Sequence, residues 1–103
     1  MKHKRTKATE IPPKVKQIVW ERDGHRCIYC KRQVPVFFAN SHFVKRSQGG
    51  LGIPENTVTA CLDCHNCYDR EGHEIMYPYT EQYLKSKYEN WDINKLVYNK
   101  YEE

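Results

Sequence analysis

A chain of 103 residues, 39% hydrophobic and 29% charged, fits one small domain with little apolar material for a large core. No apolar run approaches the roughly 20 residues that a membrane span needs. The opening MKHKRTKATE has no apolar stretch behind its basic residues, so neither an anchor nor a secretory signal is expected.

Residues 1–11 are polar and basic without periodicity and read as a disordered arm. Charge is lopsided along the chain. Residues 1–32 hold ten Lys/Arg against three acids, and the remaining 71 hold seven against ten. A basic arm beside a near-neutral body suits contact with a phosphate backbone, although a solubilising tail has the same composition. Pro12 and Pro13 mark a helix start. In KVKQIVWERDG, residues Val15, Ile18, Val19 and Arg22 fall at helical spacing, and Gly24 stops the run. Trp20 reads as a packing residue.

CIYC follows at 27–30, then VPVFFANSHF, whose β-branched and aromatic residues predict a strand. VKRSQGGLGIPE is a loop by its glycines and proline. NTVTA is a short strand that returns antiparallel, and CLDCHNCYDREG is a helix closed by Gly72. YPY is expected to interrupt the chain before Thr80 caps EQYLKSKYENW, and Asp92 to cap a last helix, INKLVYNKY. The organisation expected is the arm at 1–11, a main domain at 12–76 and a helical extension at 77–103 packed on it.

Cys27 and Cys30 form one Cys-x-x-Cys pair, Cys61 and Cys64 another. Two intervening residues turn both thiolates toward one ion, and two such knuckles complete a tetrahedral four-sulfur zinc shell. In a reducing cytoplasm, the compartment expected here, paired cysteines indicate metal over disulfides. A zinc with four thiolates has no open position, so its task is to hold the fold together. Cys67 is left over and reads as a small apolar residue.

Zinc does not account for His42, Asn56 and His65. A hairpin packed on the following helix brings His42 and His65 to one end of the unit. Asp69, four residues after His65, falls on the same helix face. An imidazole and a carboxylate so placed make a partial shell for a hard or borderline divalent ion. His73 lies beyond the expected helix stop, His25 reads as a local polar residue by the first knuckle, and His3 is given no role.

The order SHFVKRSQGG, ENTVTACLDCH, following a Cys-x-x-Cys, resembles the HNH endonucleases, the ββα-metal nuclease family, over about residues 17–72. The flanking VWERDGHRCIYC and YLKSKYENW are similar to small HNH proteins of bacteriophages and prophages. The resemblance implies an α+β fold, a small ββα-metal unit with an N-terminal helix, the four-cysteine zinc and C-terminal helices. It implies a nuclease that hydrolyses DNA phosphodiester bonds with one catalytic Mg²⁺ or Mn²⁺ and leaves 5′-phosphate and 3′-hydroxyl ends. His42 matches the general base, a task suited to imidazole. Asn56 matches the residue that braces the loop and orients the base. His65 matches the helix ligand of the catalytic metal, and Asp69 falls where a second helix ligand is common. Ser41 stands where many members place an acidic or histidine ligand. As a weak ligand it predicts weak metal binding without DNA. Lys45 and Arg46, just past the base, are expected to contact phosphates. DNA is the partner expected, bound by a monomer or homodimer, and the phage-like flanks suggest packaging or recombination proteins beside it. Two other readings are a zinc-stabilised nucleic-acid-binding module without catalysis, and a zinc-knuckle adaptor that binds protein through the Tyr-rich C-terminal part.

Overall fold

A computed structural model describes residues 4–98, with only the backbone of Lys4 and Arg5. The chain runs through helix α1 (Lys4–Thr9), helix α2 (Pro13–Arg22), strand β1 (Ser41–His42), strand β2 (Thr57–Val58), helix α3 (Leu62–Asp69) and helix α4 (His73–Lys87). Single 3-10 turns lie at Val36–Phe38, Arg46–Gln48, Pro54–Asn56 and Ile93–Lys95. The two strands pair antiparallel, Ser41 with Val58 and His42 with Thr57. β1, β2 and α3 make the ββα unit, and the α+β expectation holds.

Five differences from the expected elements have local causes. Residues 4–9, read as part of a disordered arm, form α1, which docks on the loop after β1. The long strand expected over 34–43 shrinks to Ser41–His42, because Pro35 starts a turn in which Phe38 and Ala39 donate to the carbonyls of Pro35 and Val36. α3 ends at Asp69, ahead of Gly72. Gly72 answers a packing need, since a Cβ there would stand 2.4 Å from Cys67 Sγ. α4 runs through Pro78, and Thr80 lies inside it, donating to Met76 O. Pro78 has no N–H to offer the Glu74 carbonyl four residues before it, and Glu74 is exposed, so that carbonyl is open to solvent in place of the missing donor. Asp92 does act as a cap, accepting from Asn94 N, but of only one turn; residues 99–101 of the expected last helix lie outside the described residues.

The core is built where α4 and the C-terminal turn close over the strands. Ile28, Phe43, Val58, Leu84 and Leu96 are buried together, ringed by Tyr77, Tyr83, Tyr88 and Trp91. Phe43 stacks on Tyr77 with ring centres 4.6 Å apart, and Tyr68 donates its hydroxyl to Phe43 O at 2.8 Å. The residues on either side of His42 along the chain are thereby fixed: Phe43 in this core, Ser41 in the sheet. Trp20 packs as expected, its indole N–H donating to Val34 O.

A polar joint locks the end of α2 to the other elements. Arg22 donates to Pro54 O and Thr57 O at 2.8 and 2.7 Å. Its neighbour Asp23, whose side chain is fully buried, accepts from Thr59 N and from the Tyr83 hydroxyl. Adjacent opposite charges here bind β2 and α4 to one helix end.

Candidate metal centres and catalytic cleft

The first centre is the four cysteines. The sulfurs of Cys27, Cys30, Cys61 and Cys64 lie within 4.8 Å of one another. No disulfide joins the five cysteines, and Cys30 Sγ stands 3.7 Å from Cys61 Sγ. Sulfurs at about 2.3 Å around a tetrahedral zinc are about 3.8 Å apart, so the spacing is that of ligands and not of a bond. The knuckle turn at Cys27–Cys30 needs a left-handed residue, supplied by Lys31 at φ 68°, and Cys27 N donates to Arg32 O across it. The Arg32 backbone N–H holds the Cys30 thiol down to about 7, whereas burial pushes Cys61 and Cys64 up. Ion binding supplies what those buried thiols need to ionise. The centre ties the chain before β1 to the N-terminus of α3, since Cys61 is the residue that precedes the helix.

The second centre is a cleft of about 340 Å³ lined by Asn40, His42, Lys45, Arg46, Ser47, His65 and Asp69. Five residues singled out from the sequence thus meet in one cavity. His42 comes from β1, His65 and Asp69 from one face of α3, Lys45 and Arg46 from the loop between the strands. His65 Nε2 is 3.7 Å from Asp69 Oδ2, with both side chains partly exposed to the cleft. Together they offer one imidazole and one carboxylate, a donor set that fits a hard or borderline divalent cation.

Ser41 is placed differently from the ligand expected. It is 1% exposed and absent from the cleft wall, and its hydroxyl lies 3.0 Å from His65 Nδ1. That contact occupies one ring nitrogen and leaves Nε2 on the side of Asp69, so the neighbour fixes the orientation of the imidazole.

Asn56 is fully buried and never reaches the cleft. Its Oδ1 accepts from Val44 N at 2.8 Å, and its Nδ2 donates to Val44 O and Leu51 O at 3.2 and 2.9 Å. It therefore clamps both ends of the loop that carries Lys45 and Arg46. The double glycine inside this loop meets two separate demands. Gly49 has φ 83°, which glycine adopts freely, and a Cβ on Gly50 would fall 1.7 Å from Val44 O.

His42 is half-buried, and Nε2 lies 2.8 Å from Thr9 O. Burial holds its imidazole below the ordinary value of 6.5; the Thr9 carbonyl opposes this and the Arg46 charge adds to it. The ring is therefore held neutral at neutral pH. Arg46, expected only as a phosphate contact, also reaches α1, donating to Thr9 Oγ1 and Thr6 O and pairing loosely with Glu10. The partners of His42 and Arg46 in this segment were missed from the sequence: Thr9 O and Thr6 O are backbone carbonyls, which carry no residue signature.

Of the other histidines, His25 and His73 lie elsewhere, and His3 falls outside the described residues. His25, at φ 65°, stacks on Trp20 and pairs with Glu21. His73 opens α4 and faces Tyr68 O.

The HNH endonuclease family model matches residues 27–71 of the 103, the part of the chain that resembles an HNH unit. The match runs from the first cysteine pair through both strands to the end of α3. No curated protein and no solved structure matched the chain. Among the described residues, no helix is long and apolar enough to cross a membrane.

Proposed function

We propose that the protein is a metal-dependent DNA endonuclease in which His42 is the general base and His65 and Asp69 hold one catalytic Mg²⁺ or Mn²⁺. The observation that carries this reading is the convergence of three chemically distinct groups on one basic cleft inside the matched unit. A neutral imidazole accepts a proton from water, while a histidine–carboxylate pair stands across from it and Lys45 and Arg46 edge the same cavity. The bound ion supplies positive charge to the scissile phosphate and the leaving oxygen. His42 takes the proton of the attacking water, and its depressed basicity keeps it ready to do so near neutral pH. Ser41 acts on His65 as an orienting partner and adds no ligand of its own. Two protein ligands leave most of an octahedral shell to water and phosphate, so metal affinity without DNA is weak. The four-cysteine centre holds zinc and remains structural. The products are 5′-phosphate and 3′-hydroxyl ends.

The test is nicking of supercoiled plasmid by zinc-loaded protein across a titration of Mg²⁺ or Mn²⁺, with His65→Ala and Asp69→Ala alongside. Wild type should nick only when the second metal is added, and both variants should need much more of it. Tight DNA binding without cleavage in either metal would replace this reading with that of a zinc-stabilised binding module.

A further inference from the structure

α1 and the residues after it lie outside the matched unit, yet they close on the candidate base. Thr9 is 2% exposed, buried against the loop that follows β1. Three contacts seat the segment there. His42 Nε2 meets Thr9 O at 2.8 Å, Arg46 Nε donates to Thr9 Oγ1 at 3.1 Å, and Gly52 N donates to Ala8 O at 3.1 Å. The seat is cut to the backbone itself: a Cβ on Gly52 would stand 1.8 Å from Glu10 O. Only glycine permits this approach.

The chemistry of the His42 contact is decided by its acceptor. A carbonyl oxygen has no proton to give, so the ring nitrogen facing it must carry one. His42 is thereby fixed with its proton on Nε2, and Nδ1 is left with the free lone pair. We infer that the N-terminal segment is a built-in part of the active site, in which the Thr9 carbonyl selects the tautomer and angle of His42 so that Nδ1 is the basic nitrogen. This rests on the reading of His42 as base. The segment positions the base without shutting the site, since His42 still lines the open cleft. The neighbouring cavity, lined by Thr6, Thr9, Arg46 and Ser47, shares two residues with that cleft, so α1 forms a wall of one continuous basic groove.

Two full-length variants test this by different routes. Gly52→Ala pushes the Glu10 carbonyl away. Glu10→Pro disfavours the helical conformation of Thr9 and turns its carbonyl aside, leaving the loop sequence intact and removing only the loose Arg46–Glu10 pair from it. In zinc-loaded protein without added Mg²⁺, Mn²⁺ or DNA, ¹⁵N shifts of the His42 ring should show a single Nε2–H tautomer in wild type and a mixture in both variants. Single-turnover nicking at saturating DNA should fall about tenfold or more in each. Lys7→Ala, which alters only the charge of the arm, should weaken DNA binding and leave the tautomer unchanged. A single unchanged tautomer in both variants overturns the inference, as does nicking within twofold of wild type. Faster nicking overturns it too, since the segment would then be an inhibitory strap. If His42→Ala nicks like wild type, the base assignment fails instead, and the tautomer measurement still decides whether Thr9 sets the ring.

Discussion

Replacing Asn56 by alanine removes three hydrogen bonds from a fully buried side chain that touches no solvent and no part of the cleft. At about 1 kcal/mol each the bonds alone are worth about 3 kcal/mol, and stranding Val44 N, Val44 O and Leu51 O raises the cost toward the upper end of each range. Val44 and Leu51 are only half-buried, so water reaches part of what is left and the loss should settle near 3–4 kcal/mol. In a domain of this size that lowers the melting temperature by about 12–20 °C. Asn56→Asp should fare no better, because it turns the donor facing two carbonyls into an acceptor. The assay is thermal and urea unfolding at saturating zinc, so that metal loss does not enter the measured stability. With the loop between β1 and β2 loosened, nicking should fall as well, through Lys45 and Arg46. A loss below about 1 kcal/mol in unfolding would refute the idea that Asn56 acts as the clamp of this loop.

Other expectations follow from the same structure. The nicking rate should hold steady from neutral pH down to about 6.5 and fall only below it, because burial lowers the pKa of His42 and the neutral ring is the active form; a limb centred above 7 would contradict this. The same shift bears on stability: a histidine whose folded pKa is depressed adds stability that is full above the unfolded value and is lost as pH falls through the folded one. Stripping zinc from the four cysteines should abolish cooperative unfolding, since the metal's contribution rivals the 5–15 kcal/mol or so of a whole domain, and adding Zn²⁺ should restore it. Unchanged melting in metal-free protein would refute the zinc assignment. Asp23→Ala removes the carboxylate partner of Arg22 and frees Thr59 N and the Tyr83 hydroxyl, and should cost about 3–5 kcal/mol in urea unfolding.

What the sequence made legible were groups whose chemistry lies in side chains at fixed spacing. The four cysteines announce a shared ion because two-residue gaps orient thiolates, and the sulfurs do cluster. The HNH pattern is likewise readable, and the family match covers it. His65 and Asp69 share a face because four residues make about one helical turn. Other features had no such signature. The Thr9 carbonyl could belong to any residue, so its bond to His42 leaves no trace in composition. Arg22 and Asp23 look like an ordinary charged helix end, and only the fold reveals five partners from distant parts of the chain. VPVFF has strand-forming residues, but Pro35 and the packing of Phe38 near Ala60 impose a turn. Pro78 looks like a break and is not one, because the carbonyl it leaves unpaired belongs to an exposed turn. The partner of the Ser41 hydroxyl, His65 Nδ1, lies 24 residues away in sequence.

The central claim is that His42 is the base of a hydrolytic site, and the most direct measurement is the single-turnover nicking rate of His42→Ala beside wild type. Both proteins should carry equal zinc and unfold alike, and both should be assayed in saturating Mg²⁺ or Mn²⁺ on the same plasmid. The variant should lose about 10²–10⁴-fold in rate while binding DNA as before. A variant that nicks at the wild-type rate would contradict the account.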